Sequence, residues 1–272
     1  MASMTDLVSE GLKYPFNDIK KLLSFGVLFT LLSTISFLIG VKFIDLIRVV
    51  ENSPGSFTSM IHSGFPSNDI YIISLLIIIS FIITLLIMGY QYDVIKFSIA
   101  KENVLPEFGV FNLLKNGIRY FVVSFIYNII PTLVLIAGME LPHIHNGDYI
   151  VSIIAFILFI ICNFLLVMAL TNMVDTNKFT KAFDLRGIAD KIANLGWIKY
   201  IGIILFTFFI YVIIMIATSM VFMFITIAFT MAFEQMLIIF AVITLIEGLF
   251  ISPYISIFFH RVYGSLYRAS IS

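Results

Sequence analysis

Six long apolar runs, separated by clusters of charge, organise this chain. They fall near residues 22–41, 70–90, 118–138, 149–174, 198–222 and 236–259. A helix needs about 20 apolar residues to cross a hydrocarbon core of about 30 Å, and each run has that length. The pattern predicts an all-α bundle of about six transmembrane helices forming a single membrane domain over residues 1–272. The apolar stretch from 198 to 233 is too long for one ordinary span. Residues 223–233 are expected to extend the fifth helix or to form a hairpin dipping into the outer interface. Length alone would also allow three spans between 198 and 259.

Charge decides between these options. Lys and Arg accumulate in cytoplasmic loops. Lys13, Lys20 and Lys21 precede the first run. Lys96, Lys101, Lys115 and Arg119 lie between the second and third. Lys178, Lys181, Arg186, Lys191 and Lys199 lie between the fourth and fifth, and Arg261 and Arg268 follow the sixth. Together these are fourteen of the sixteen basic residues; the other two, Lys42 and Arg48, follow the first run. Alternation this lopsided predicts an even number of spans with both ends cytoplasmic, in the cell membrane. The larger outer loop, about 42–69, opens as a continued helix in which Asp45 is three residues from both Lys42 and Arg48. It then turns at Pro54-Gly55 and Gly64-Phe65-Pro66. The first 21 residues mix acids and bases, unlike a cleavable signal peptide, so the first run is expected to be a retained span.

Composition agrees. Hydrophobic residues are 61% and charged residues 12% of the chain, and its mean hydropathy is +1.09. Soluble domains average about 45–50% apolar and about 25% charged, so much of this surface must face lipid. Formal net charge is zero, which gives no support to nucleic-acid binding. The single cysteine, Cys162, excludes an internal disulfide framework.

A weak internal repeat links residues 112–123 to 191–202. Ile118-Arg119-Tyr120 and Ile198-Lys199-Tyr200 open the third and fifth runs, and Pro15 to Lys21 has a similar cast before the first. Each such segment predicts a short amphipathic helix in the cytoplasmic interface, then a turn into the bilayer. Basic and aromatic residues suit that depth, where anionic lipid headgroups are possible partners. The alternative is that every inner interface selects Lys, Arg and Tyr.

The same segments carry a resemblance. Gly89-Tyr90 closes the second run, Leu105-Pro106-Glu107-Phe108 follows, and Gly117 leads into the third run with Tyr127 and Pro131 inside it. With Tyr14 to Asp18, Phe183 to Arg186, Gly196-Trp197 and Arg261 to Arg268, these pieces resemble the archaeal membrane family called domain of unknown function 4013. The outer loop at 42–69 is longer than that family leads one to expect. The resemblance implies a multi-pass membrane protein and brings no activity or functional residues.

Candidate chemistry is sparse. Glu247 lies mid-way along the sixth run, where a charge costs roughly 2.5–3.5 kcal/mol to insert. It marks either a proton or cation site or a neutral carboxyl bonded to Asn128 or Asn163. Pro131 and Pro253 interrupt the third and sixth runs, as kinks or as the edges of a polar pocket. Glu140, His143, His145 and Asp148 share a short outer loop, which reads as a solvated turn rather than a metal site. Glu234 sits where the chain should reach the outer surface. His260 is expected to meet helix carbonyls or headgroups. Glycines at 26, 40, 89, 117, 138, 202 and 248 are expected to allow close helix packing. No phosphate loop, zinc-protease helix or nucleophile elbow is present, so no enzyme, metal or cofactor is expected. The functional expectation is a transporter-like or permease-like component for a small solute or ion. The alternative is a non-catalytic scaffold or assembly subunit binding a partner protein or lipid. An intramembrane enzyme ranks last.

Overall fold

Hydrocarbon offers no partner for backbone N–H and C=O groups, so each apolar run satisfies them internally as helix. The computed structural model describes residues 3–51, 67–139, 147–233 and 236–271. In chain order it has α1 (Met4–Lys13), a 3₁₀ turn (Tyr14–Asn17), α2 (Ile19–Glu51), α3 (Ser67–Ile99), α4 (Val110–Met139) and α5 (Gly147–Thr176). A second 3₁₀ turn (Phe179–Phe183), α6 (Leu185–Leu195), α7 (Trp197–Phe233) and α8 (Met236–Ile246) follow. A π-helical segment (Glu247–Ile251) joins α8 to α9 (Ser252–Ile271). Among the described residues there is no strand, and six helices are long and apolar enough to cross a bilayer. The protein is an all-α, multi-pass membrane bundle.

Helix α7 runs unbroken to Phe233, so residues 223–233 extend the fifth span. Neither proline breaks its helix. Helix α4 continues through Pro131, and the sixth rod passes Pro253 by widening into the π turn. Short amphipathic helices occur twice, but earlier in the chain than expected: α1 precedes the Pro15 to Lys21 segment, which forms the 3₁₀ turn and the start of α2, and α6 overlaps only the start of 191–202. On α1, Leu7, Val8 and Gly11 are buried; on α6, Ile188, Ile192 and Leu195 are. Both faces follow the i, i+3, i+4 spacing of one helical stripe. The middle segment departs from expectation: residues 102–109 carry no helix, and 112–123 lie inside α4. Its Gly117 is needed within a helix because α3 and α4 cross there in near contact. A Cβ on Gly117 would sit 1.9 Å from the Leu85 carbonyl oxygen, and one on Gly89 1.9 Å from that of Leu113. Only a missing side chain permits that approach.

At one end of the bundle α1, α6, the 100–109 connection and the last turns of α9 pack together. Helix α3 stops there in a Schellman turn. Lys101 adopts φ 61°, and the Glu102 N–H donates to the Phe97 carbonyl at 2.9 Å. That reversal lays residues 102–105 back across the helix ends, within reach of α1 and α9. This polar end holds most of the buried core.

Candidate functional site

Pro253 has no N–H to donate, and the helix before it re-registers. The Ser252 N–H donates to the Glu247 carbonyl, five residues back, the signature of a π turn. Gly248 lets that turn press on α2, where a Cβ would stand 2.7 Å from the Thr30 Cα. Gly26 of α2 answers it, since a Cβ there would stand 2.4 Å from the Leu249 carbonyl oxygen. The π turn is therefore pinned on α2, and Glu247 is held on the wall of a cavity of about 850 Å³. Its carboxyl has no hydrogen-bond or ion-pair partner among the described residues.

All six spanning helices contribute to this cavity, from Phe29 on α2 to Tyr263 on α9. Its walls carry nine Phe and Tyr rings. Helices α5 and α7 form two of its walls. Near the polar end the Tyr200 hydroxyl of α7 donates to the Phe164 carbonyl of α5. Farther along, Phe159 and Phe208 line the two walls while staying about half exposed. The polar groups fall in two sets. Glu247 and Asn163 line the cavity along with Ser252, and toward the polar end Gln91 donates to the Ser256 hydroxyl at 3.0 Å. His260 Nδ1 lies 2.6 Å from the Ser256 carbonyl and Nε2 lies 2.8 Å from the Tyr120 hydroxyl. A carbonyl can only accept, so Nδ1 carries a proton, and Nε2 shares a hydrogen bond with the Tyr120 hydroxyl.

The structure separates the polar residues singled out from sequence. Asn163 lines the cavity with Glu247, but its amide donates to the Phe159 carbonyl at 2.8 Å and to Asn128 Oδ1 at 3.3 Å. Asn128 donates back to the Ser124 carbonyl at 2.8 Å. The two asparagines expected to partner Glu247 therefore pair with each other. Their short amides reach a carbonyl one turn back more readily than they reach another helix. Pro131 and Pro253 are buried and lie outside the cavity wall. His260 does meet a helix carbonyl, while its Tyr120 partner, Gln91 and the aromatic walls went unsignalled. Apolar rings inside a hydrophobic run carry no sign of which face they take. Glu140, His143, His145 and Glu234 lie outside the described residues, as does the side chain of Asp148.

The motif residues converge at the polar end. Tyr90 stacks between Phe25 and Phe108, with ring centroids 4.2 and 4.7 Å away, and its hydroxyl points to the Pro106 carbonyl at 3.5 Å. Leu105 is fully buried, its carbonyl accepting Lys21 Nζ at 2.7 Å. Glu107 is exposed on the rim of a second cavity of about 890 Å³. Gly89 and Gly117 make the crossing already described. The family model for proteins of unknown function, DUF4013, matches residues 72–223, more than half of the chain. The chain belongs to the DUF4013 family. The DUF4013 match runs from α3 through most of α7 and takes in the Gly89 to Gly117 motif. No curated protein and no solved structure matches the chain.

Outside the DUF4013 match, α1 and α9 close the polar end around Glu10. Its carboxylate receives Arg261 at 2.6 Å, Arg268 at 3.1 Å and the Ser265 hydroxyl at 3.3 Å. Residues 261, 265 and 268 recur at i, i+4 and i+7, so they share one face of α9. Arg261 is 1% exposed. It also donates to the Glu102 carbonyl at 2.6 Å and to Asn103 Oδ1 at 3.2 Å, and its guanidinium lies 4.1 Å from the centre of the Tyr14 ring. Tyr14 in turn donates to the Val104 carbonyl at 2.6 Å. Burial pushes the Tyr14 hydroxyl up to about 12 against the opposing pull of Arg261, so it remains a neutral donor. A second polar set, the buried Asn172 and Tyr267 with the half-buried Lys191 and the exposed Asp175, ties α6 to α5 and α9. Burial lowers the Lys191 ammonium below its ordinary value, opposed by Asp175.

Proposed function

We propose that this protein is a transport component that holds a small solute or ion beside Glu247 on its way across the bilayer. The observation that carries this reading is the carboxyl itself. Glu247 has no partner among the described residues and lines a cavity of about 850 Å³ in the middle of a six-helix bundle. Helix rise puts it about 13 Å from the Ser256 level, away from the polar end, which is roughly half a hydrocarbon thickness. A scaffold would gain nothing from an unpaired acid at that depth, where its insertion costs several kcal/mol. Binding and release, rather than bond chemistry, is the activity such a site supports. The charge asymmetry supports a cytoplasmic position for the polar end, with α1 and the end of α9, in a protein we assign to the cell membrane. Same-side labelling of cysteines introduced at positions 115 and 191 checks that orientation; labelling from opposite sides overturns it.

The direct test is flux in proteoliposomes. Glu247→Gln keeps the shape of the side chain and removes its charge. Proton-coupled flux should fall at least about tenfold, the scale of losing one desolvated charge contact. Unchanged flux in a correctly folded variant would reject transport through this cavity and return the protein to the scaffold reading.

A further inference from the structure

We infer that the cavity beside Glu247 selects a lipophilic organic cation. This rests on the transport reading for its site and goes beyond it in naming the ligand class. Three observations point the same way. Glu247 is the one charged side chain on the cavity wall among the described residues; no Lys or Arg lines it. His260 has Nδ1 committed to the Ser256 carbonyl and Nε2 to the Tyr120 hydroxyl, so both ring nitrogens are already occupied within the protein. Glu247 is therefore the one acidic or basic group on the wall left open to an incoming charge. The remaining titratable groups on the wall are the phenols Tyr120, Tyr211 and Tyr263, which add no positive charge.

The walls decide what kind of cation fits. An inorganic cation requires several oxygen ligands converging within about 2.0–2.6 Å. Beside its one carboxylate this wall has the neutral side chains of Ser252, of Asn163, paired with Asn128, and of Gln91 and Ser256, paired with each other, and no group of three or more His, Cys, Asp or Glu gathers among the described residues. Phe and Tyr rings instead attract a diffuse cation through their negative faces, most strongly where water is excluded. Nine rings line the space, among them Phe29, Phe159, Phe208 and Tyr211. The half-exposed rings of Phe159 and Phe208 on opposite walls turn the mouth toward hydrocarbon, the phase in which such a cation dissolves. A volume of about 850 Å³ is within the range of drug-sized ligand sites.

Tetraphenylphosphonium and tetraphenylborate test this directly, because they share shape and apolar surface and differ in sign of charge. The full chain is placed in zwitterionic nanodiscs, and binding is measured above empty discs. Tetraphenylphosphonium should bind saturably, and tetraphenylborate at least about tenfold more weakly. Glu247→Gln should weaken the phosphonium at least about tenfold and leave the borate unweakened. Phe208→Ala, which keeps the acid, should also weaken the phosphonium. Equal saturable binding of both ions, absence of phosphonium binding, or a co-purified lipid that the phosphonium never displaces would each overturn the assignment. The wild-type comparison needs no variant, so a folding defect in one cannot mask the result. The two readings separate cleanly. Phosphonium binding with flux indifferent to Glu247 sinks transport and keeps the cation site. Glu247-dependent flux without phosphonium binding keeps transport and sinks the ligand class.

Discussion

Glu10 and Glu247 are both carboxylates on a helical membrane protein, and they are treated in opposite ways. Glu10 is met by two guanidiniums and a hydroxyl at the polar end, and one of those guanidiniums is itself almost fully buried. Glu247 is met by no partner among the described residues, in a cavity walled with aromatic rings. Burying a charge costs several kcal/mol, and pairing offsets much of it. At the polar end the chain supplies that pairing from its own residues. On the cavity wall it does not: Glu247 stands exposed there, open to something that arrives. The contrast separates a group that holds the fold from one that is positioned to bind.

The sharpest way to break this contrast is to remove each acid in turn. Glu10→Ala strands Arg261 as a buried, unpaired cation. About 3 kcal/mol of stability should be lost, the low end for breaking a buried pair because Glu10 is itself 31% exposed. Thermal unfolding in detergent with α1 fluorescently tagged should show α1 released first. A midpoint unchanged from wild type would mean that this latch of Glu10 with Arg261 and Arg268 contributes nothing. Glu247→Gln should show the reverse: no loss of thermal stability, with the effect confined to flux and cation binding. If both variants lose stability equally, Glu247 is a structural acid and the contrast collapses.

Sequence patterning revealed the spans because lipid imposes one strong requirement, length of apolar helix, and charge in the loops marks the turns between them. It also flagged Glu247, since one acid in an apolar run stands out. The latch was not legible. Arg261 and Arg268 were informative only as topology signals, and Glu10, 258 residues from Arg268, looked like one charge in a mixed leading segment. The repeat was legible but its meaning was not. Tyr120 and Tyr200, expected at the lipid interface, are buried; Tyr120 bonds to His260 and Tyr200 donates to the Phe164 carbonyl. The prolines misled in the same way. Pro131 sits in an unbroken helix, and the Pro253 effect appears upstream as a π turn that aims Glu247. In each case the sequence names a residue, and packing against a distant helix decides what it does.

The smallest effect expected lies at the start of α6, among solvent-facing charges of the same polar end. Asp184 caps that helix, accepting the Gly187 N–H at 3.1 Å and Lys181 Nζ at 2.8 Å. The Lys181 hydrogen bond, followed by the cap bond, holds its carboxyl below the ordinary Asp value of about 3.9. A carboxyl whose pKa is depressed by folding stabilises the folded form above its unfolded pKa, and that contribution disappears as pH falls through the folded value. Protection of the α6 amides against hydrogen exchange should therefore be full at about pH 5 and decline below about pH 4. Asp184→Asn keeps a cap acceptor and loses the ion pair, so its protection should start slightly lower and stay flat over the same interval. The exposed pair contributes little compared with the Glu10 latch. A wild-type profile as flat as that of Asp184→Asn would show that the Lys181 contact does not order α6, and would leave Glu10 as the acid that secures this end of the bundle.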